Sequence, residues 1–302
     1  MTITFRSGTL DDVRAAYDVF VLTTADLERR TGLAESEVVW SDSAFVGSYW
    51  VRRGPLFEHL TRTAEHFWVA ESEGRLVGYT RATLRDGVRE LTDFFVLPAY
   101  QAKGVGGELL ARAFPVGGAR RRTVIASTDI RALARYLKAG VYPRFPLYHL
   151  LGKPQPLEIP SDLTFTSVTT SPETLAAIRE IDMAILGYAR DVDHEFLLRD
   201  RRPYLYSRGE SIVGYGYSGK GTGPIALLSE SDFPAVLARA ETEAAARNDE
   251  EFGMTLPLIN RVAVDHLLGR GFKLEDYPVF FMNDEGFGTF TNYVFTSPPF
   301  FI

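Results

Sequence analysis

One run of residue types occurs twice in this chain, and it limits the fold more than any other feature. Leu76-Val77-Gly78-Tyr79 returns as Ile212-Val213-Gly214-Tyr215, and Thr4-Phe5 returns as Thr164-Phe165. A helical pattern closed by glycine repeats as well, ending at Gly140 in the first copy and at Gly271 in the second. Counting back from those glycines, Asp129 falls opposite Asn260, Ala132 opposite Ala263, and Tyr136 opposite Leu267. At 302 residues the chain is long enough for two domains, each with its own core. Pro154, Pro156 and Pro160 stand between the copies and favour an extended connection. The expected domains are therefore 1–153 and 160–302, with the boundary near Pro156.

Composition removes several classes of function. There is no cysteine, which excludes disulfides, thiolate metal sites and a cysteine nucleophile, and fits a cytoplasmic protein. His59, His66, His149, His194 and His266 show no metal-ligand spacing, so no metal is expected. A net charge of −6 argues against a general nucleic-acid binder. No apolar run approaches the length of a membrane span, and Met1–Arg6 lacks the charged and apolar regions of a signal peptide. Monomer and homodimer are both open.

The chemistry-bearing motif lies in the first copy. Phe94-Phe95-Val96-Leu97 favours a strand, and Leu109, Leu110 and Ala113 recur at helical spacing. Between them stand Gln101, Ala102, Lys103, Gly104, Val105, Gly106 and Gly107. A helix start exposes unpaired N–H donors and the positive end of its dipole, and glycines let a phosphate approach those donors. The dinucleotide fingerprint would need glycine where Leu109 stands, and no P-loop Gly-Lys-Ser/Thr follows a four-residue gap.

The remaining pattern, Gln/Arg-x-x-Gly-x-Gly/Ala after a strand, resembles the pyrophosphate motif of the GNAT superfamily of acyl-CoA-dependent N-acyltransferases. Other parts of the family pattern stand around it. Glu71 to Tyr79, with Glu73-Gly74 at the turn, looks like the hairpin before the central strand. Ala132 to Val141 resembles the last helix and its closing glycine, with valine where phenylalanine is usual. The resemblance covers roughly residues 3–150. It implies an α/β fold of the α+β mixed-sheet kind: two tandem GNAT-like domains, each a central mixed sheet flanked by helices. It further implies an N-acetyltransferase that uses acetyl-CoA and passes the acyl group directly to a small-molecule primary amine. A non-catalytic acyl-CoA sensor and an enzyme using another acyl-CoA are the alternatives.

Acyl transfer to an amine needs a base for the ammonium proton, a donor for the oxyanion and a proton for the thiolate. Glu90 lies eleven residues before Gln101, a spacing that matches the catalytic-base glutamate of the histone-acetylating branch of the family. Asp93 is the second candidate base, expected on the opposite face if pairing is regular. The resemblance makes Tyr136, four residues before Gly140, the acid for the thiolate. It also makes the backbone of Phe95, Val96 and Leu97 the pantetheine-binding edge. Arg120-Arg121-Arg122 reads as a surface run, with a role at the ribose 3′-phosphate as the lesser reading.

The second copy lacks both features. Ser231-Asp232-Phe233-Pro234 starts its helix without close-approach glycines, and Leu267 stands opposite Tyr136. It reads as a domain without coenzyme A. Trp40, Phe45, Tyr49 and Trp50 crowd a stretch, roughly 23–65, that reads as loop-rich; it either covers an acceptor cleft or packs on the second domain. The apolar segment Ser297 to Ile302 is expected to be packed.

Overall fold

The computed structural model describes residues 2–32, 40–219, 221–299 and 301–302. It divides into two units: the first holds the described residues through Val124 together with Ala134–Ala139, the second Ile125–Leu133 and the described residues from Gly140 onward.

In the first unit β1 (Ile3–Ser7) is followed by α1 (Val13–Thr31) and α2 (Ser43–Arg62), then by β2 (Ala64–Ser72), β3 (Arg75–Arg85) and β4 (Val88–Val96). After these come α3 (Val105–Ala113), β5 (Arg121–Ala126) and α4 (Ile130–Lys138), the last two shared between the units. Strands run in the order β1-β2-β3-β4-β5, antiparallel except for the parallel pair β4–β5. Turn chemistry explains the hairpins. Glu73 and Gly74 take φ of 52° and 72°, and Asp86 and Gly87 take 40° and 80°. Successive positive φ matches the twist of the flanking strands.

The stretch expected to be loop-rich is largely helical. Gly32, at φ 83°, closes α1, and Asp42 caps α2 by accepting from the Ala44 N–H. Phe45, Tyr49 and Trp50 thus share one helix, and residues 33–39 lie outside the described residues. Tyr17 meets Trp50 at 4.9 Å between ring centroids, and Phe20 meets Trp40 at 5.9 Å and Tyr49 at 6.1 Å. The aromatics knit α1 to α2 within the first unit.

The second unit contains β6 (Tyr142–Gly152), β7 (Leu163–Ser167), α5 (Pro172–Ile185), α6 (Asp191–Asp200), β8 (Arg202–Arg208), β9 (Ser211–Ser218) and β10 (Ile225–Leu227). It continues through α7 (Phe233–Ala246), β11 (Phe252–Pro257), α8 (Arg261–Gly269), β12 (Lys273–Leu274), β13 (Val279–Asn283) and β14 (Tyr293–Val294). One sheet has the order β14-β10-β9-β8-β7, and β6 pairs antiparallel with β11, β12 and β13. Those pairings place β6 in the second unit, so the structural division comes before the proline segment rather than near Pro156. Phe233, Leu237, Met254, Leu256, Ala263 and Leu267 build its core.

The repeated glycine has a steric reason in each copy. A Cβ on Gly78 would lie 3.1 Å from the Phe95 carbonyl oxygen and 3.2 Å from Leu109 Cδ1. On Gly214 it would lie 2.6 Å from the Ala226 carbonyl oxygen and 2.6 Å from Leu227 Cδ2. Both strands need a bare backbone where a neighbouring strand and side chain press in.

Candidate active site

Strand β4 is irregular where the chemistry is expected. Its pairing with β3 runs Thr83↔Glu90 and Ala82↔Leu91, then shifts so that Arg81 faces Asp93. Thr92 is the extra residue of a β-bulge, and such an insertion reverses the alternation of faces. Paired residues share a face, and Arg81 and Thr83 are two apart on β3. Glu90 and Asp93 therefore lie on the same face, against the expectation from regular pairing.

The two carboxylates differ in their surroundings. Asp93 accepts from Arg81 Nε and Nη2 at 2.9 Å each, from the Tyr79 hydroxyl at 3.0 Å and from Thr92 Oγ1 at 3.0 Å. Arg81 also donates to the Phe57 carbonyl oxygen and to Thr61 Oγ1 on α2, both at 2.7 Å. Burial pushes the Tyr79 phenol well above its ordinary value, and the Asp93 charge adds to that. This is a closed network that ties α2 to the sheet. Glu90 is buried three positions past Gly87 of the Asp86-Gly87 turn and pairs with Thr83 on β3 and Thr123 on β5. It is not the solvated hairpin residue that its nearness to a turn suggests.

Beyond the bulge the parallel pair opens. Pairing of β4 with β5 extends from Val88↔Arg121 to Leu91↔Val124. Leu97 N–H donates to the Val77 carbonyl oxygen at 2.9 Å. Antiparallel ladders alternate, so Phe95 likewise turns its peptide groups to β3 while Phe94 and Val96 turn theirs away. Of Phe95, Val96 and Leu97, only Val96 presents backbone on the open side, and Phe94 joins it. Gln101 Nε2 donates to the Val96 carbonyl oxygen at 2.8 Å, fixing the approach to the glycine turn.

The turn itself has the shape of an anion cradle. Gly104 is the N-cap of α3 at φ 86°, and Gly107 and Glu108 N–H donate to its carbonyl oxygen. Ala102 takes φ 59°, a left-handed conformation uncommon for a residue with a Cβ. Val105 and Leu109 are buried against Ala70, Val77 and Val96, which anchors the helix start to the sheet. A Cβ on Gly106 would lie 3.1 Å from Phe94 Cζ and 3.5 Å from Arg135 Nε, so the close packing over the helix start leaves room for glycine alone. Lys103 sits with Nζ 5.5 Å from the Tyr100 ring centre. These residues fit a diphosphate on the helix start and a pantetheine arm along Phe94 and Val96.

Tyr136 on α4 is buried, with its ring centroid 6.0 Å from that of Phe94. It stands beside the opened edge. The arginine run is structural by contrast: Arg120 donates to the Asp86 carbonyl oxygen, and Arg122 to the Ala139 carbonyl oxygen at 2.8 Å. Sequence reasoning passed over Arg135, whose guanidinium lies over Gly106 and Gly107. A helical neighbour of Tyr136 carries no motif of its own, and only its closeness to Gly106 and Gly107 shows its place.

Among the described residues of the second unit no equivalent opening is seen. Tyr293–Val294 pairs with β10, and Phe295 N–H donates to the Thr255 carbonyl oxygen on β11 at 3.0 Å. Thr255 N–H in turn donates to Ser297 Oγ at 2.8 Å. The chain's own segment thus fills the place between β10 and β11. Asp232, buried and accepting from Arg208 at 2.8 Å, sets a carboxylate at the start of α7, where an anion would be repelled. Phe301 and Ile302 are packed as expected. Among the described residues no helix is long and apolar enough to cross a membrane, and no three His, Asp or Glu side chains gather as a metal site.

Residues 33–141 match the family model described as the acetyltransferase (GNAT) family. No curated relative matches the sequence. Solved structures share the mixed α/β fold over most of the chain. A protein described as an acetyltransferase from Pyrococcus horikoshii superposes with a TM-score of 0.71 at 15% identity, covering 96% of this chain and 92% of its own. A GCN5-related N-acetyltransferase from Sphaerobacter thermophilus gives 0.58 at 13% identity, over 93% and 95%. A tandem GNAT protein from the clavulanic acid biosynthesis pathway gives 0.58 at 14%, over 93% and 98%.

Proposed function

We propose that this chain, with its GNAT domain within residues 33–141, is an N-acyltransferase that moves an acetyl group from acetyl-CoA to a primary amine of a small molecule. The observation that carries this reading is the opening of β4 from β5 directly before a glycine-lined helix start. One element offers strand-like pairing to a pantetheine arm, and the next offers N–H donors to a diphosphate. When bound, acetyl-CoA supplies a thioester already activated for attack.

Each residue then has a defined task. The Val96 N–H, on the open edge, donates to the thioester carbonyl and stabilises the developing oxyanion. Glu90 takes the ammonium proton of the acceptor, through a water. Tyr136 returns a proton to the departing thiolate. A phenol has an unperturbed pKa of about 10 and a thiol about 8.5, so the site must favour that transfer by position. Asp93 is left out of the set, because Arg81, Tyr79 and Thr92 already occupy its oxygens.

The second unit completes a tandem arrangement as a GNAT-like fold without donor chemistry. Its slot is filled by Tyr293–Ser297, and Leu267 is a fully buried core residue opposite Tyr136 in the repeat. Release of free CoA, followed with a panel of primary amines, tests the proposal. Turnover that falls in Glu90→Gln and in Tyr136→Phe supports the assignments. Tight CoA binding without turnover on any amine would instead make the chain an acyl-CoA sensor.

A further inference from the structure

Arg135 occupies an electrostatically unfavourable place. Its Nε and Cζ lie 3.5 and 3.6 Å from where a Gly106 Cβ would be, and Nη1 lies 3.3 Å from that of Gly107. The guanidinium therefore rests over the first turn of α3. That end of a helix carries the positive end of its dipole and unpaired N–H donors, so a cation there is repelled. Arg135 has no ion-pair or hydrogen-bond partner for its guanidinium among the described residues. It is half-buried, and a guanidinium can only donate, so the N–H groups of the helix start offer it no acceptor. The other basic groups nearby are accounted for: Arg112 pairs with Glu108 at 3.2 Å, and Lys103 lies over Tyr100.

We propose that Arg135 is a donor-binding residue, whose guanidinium provides a side-chain wall for the diphosphate of the acyl-CoA beside the glycine backbone. This rests on the acyl-CoA reading above and adds to it a second, side-chain wall for the anion. An anion between the guanidinium and the α3 N–H groups turns a repulsion into two attractions. The planar fork of arginine suits bidentate binding of phosphate oxygens. Gly106 and Gly107 serve both walls, since side chains there would push against Phe94 and Arg135. Placed one residue before Tyr136, Arg135 also lets a single helix sense the diphosphate and present the phenol.

Isothermal titration of the full chain with CoA and with dephospho-CoA tests this, using wild type, Arg135→Ala and Arg135→Lys. Thermal melts of the unliganded proteins accompany the titrations. Loss of a charge-assisted contact predicts that Arg135→Ala weakens both ligands about ten- to a hundredfold, with part of the loss restored by lysine. Unliganded Arg135→Ala should melt at the wild-type temperature or higher, because it sheds a repulsion. Affinity for CoA within about twofold of wild type would overturn the proposal, as would an unliganded melt several degrees lower, the sign of a structural role. Weaker binding of CoA alone, with dephospho-CoA unaffected, would move the contact to the 3′-phosphate and also overturn it. Wild type that binds neither ligand would overturn the donor site itself, a separate failure.

Discussion

Arg81 donates two hydrogen bonds of 2.9 Å to the carboxylate of Asp93, and both side chains are buried. Asp93 lies three residues past Glu90 on the same face of β4, so two carboxylates that look alike in sequence have separate tasks. Removing one partner of a buried pair leaves an uncompensated charge, which costs about 3–5 kcal/mol. Asp93→Asn should therefore lose about that much stability in urea denaturation. An Asp93→Asn protein of wild-type stability but without turnover would return Asp93 to the catalytic set.

Glu90→Gln should behave in the reverse way. The substitution keeps shape and hydrogen-bonding capacity while removing the base, and general-base catalysis contributes about 10²- to 10⁴-fold. A fall of that size in kcat is expected, with donor KM and melting temperature near wild type. Equal losses in kcat and stability would mark Glu90 as structural.

The filled slot of the second unit makes two linked predictions. Phe295 is fully buried and bridges to Thr255, and truncating a buried phenylalanine costs about 3–5 kcal/mol. Phe295→Ala should show that loss by chemical denaturation. Wild type should bind one donor molecule per chain; a stoichiometry of two would contradict the account of the second unit.

Stability should also fall on mild acidification. Burial lowers the pKa of His149 and of His266, so their folded forms resist the charge that the unfolded chain accepts more readily. Between the folded pKa and the unfolded value of about 6.5, the unfolded state binds more protons, and stability declines as pH drops. Denaturation curves from pH 8 to 5 should show a decline beginning below about pH 6.5, shallower in His149→Gln. An unchanged slope in that variant would exclude its contribution.

What could be read from the sequence divides along the range of the interactions involved. Glu73-Gly74, Asp86-Gly87, the Gly32 and Gly140 helix ends and the glycine turn before α3 all depend on local backbone preferences, and these turns stand where their residues indicate. Gly78 and Gly214 marked the repeat because each meets its own hairpin closely. The bulge at Thr92 was hidden, since it follows from the Arg81–Asp93 pair and its ties to α2. Regular alternation therefore misassigned the face of Asp93, and the resemblance alone could not separate the backbone phase of Val96 from that of Phe95 and Leu97. Helix α2 was masked by aromatics and Pro55, which weaken helical propensity but pack well against Tyr17 and Phe20. Strand β6 took its place from partners a hundred or more residues away.

The cradle is tested most directly by calorimetric titration of acetyl-CoA into wild type and Gly106→Trp, with thermal melts of both. At 100 times its Kd the ligand should stabilise wild type by about 2.7 kcal/mol. An indole at position 106 would occupy the space beside Phe94 and Arg135 and abolish both the heat and the shift. A Gly286→Trp control, at a glycine with open space around it, should bind as wild type does. Absence of any acetyl-CoA effect on wild type, or an undiminished effect in Gly106→Trp, would contradict the account.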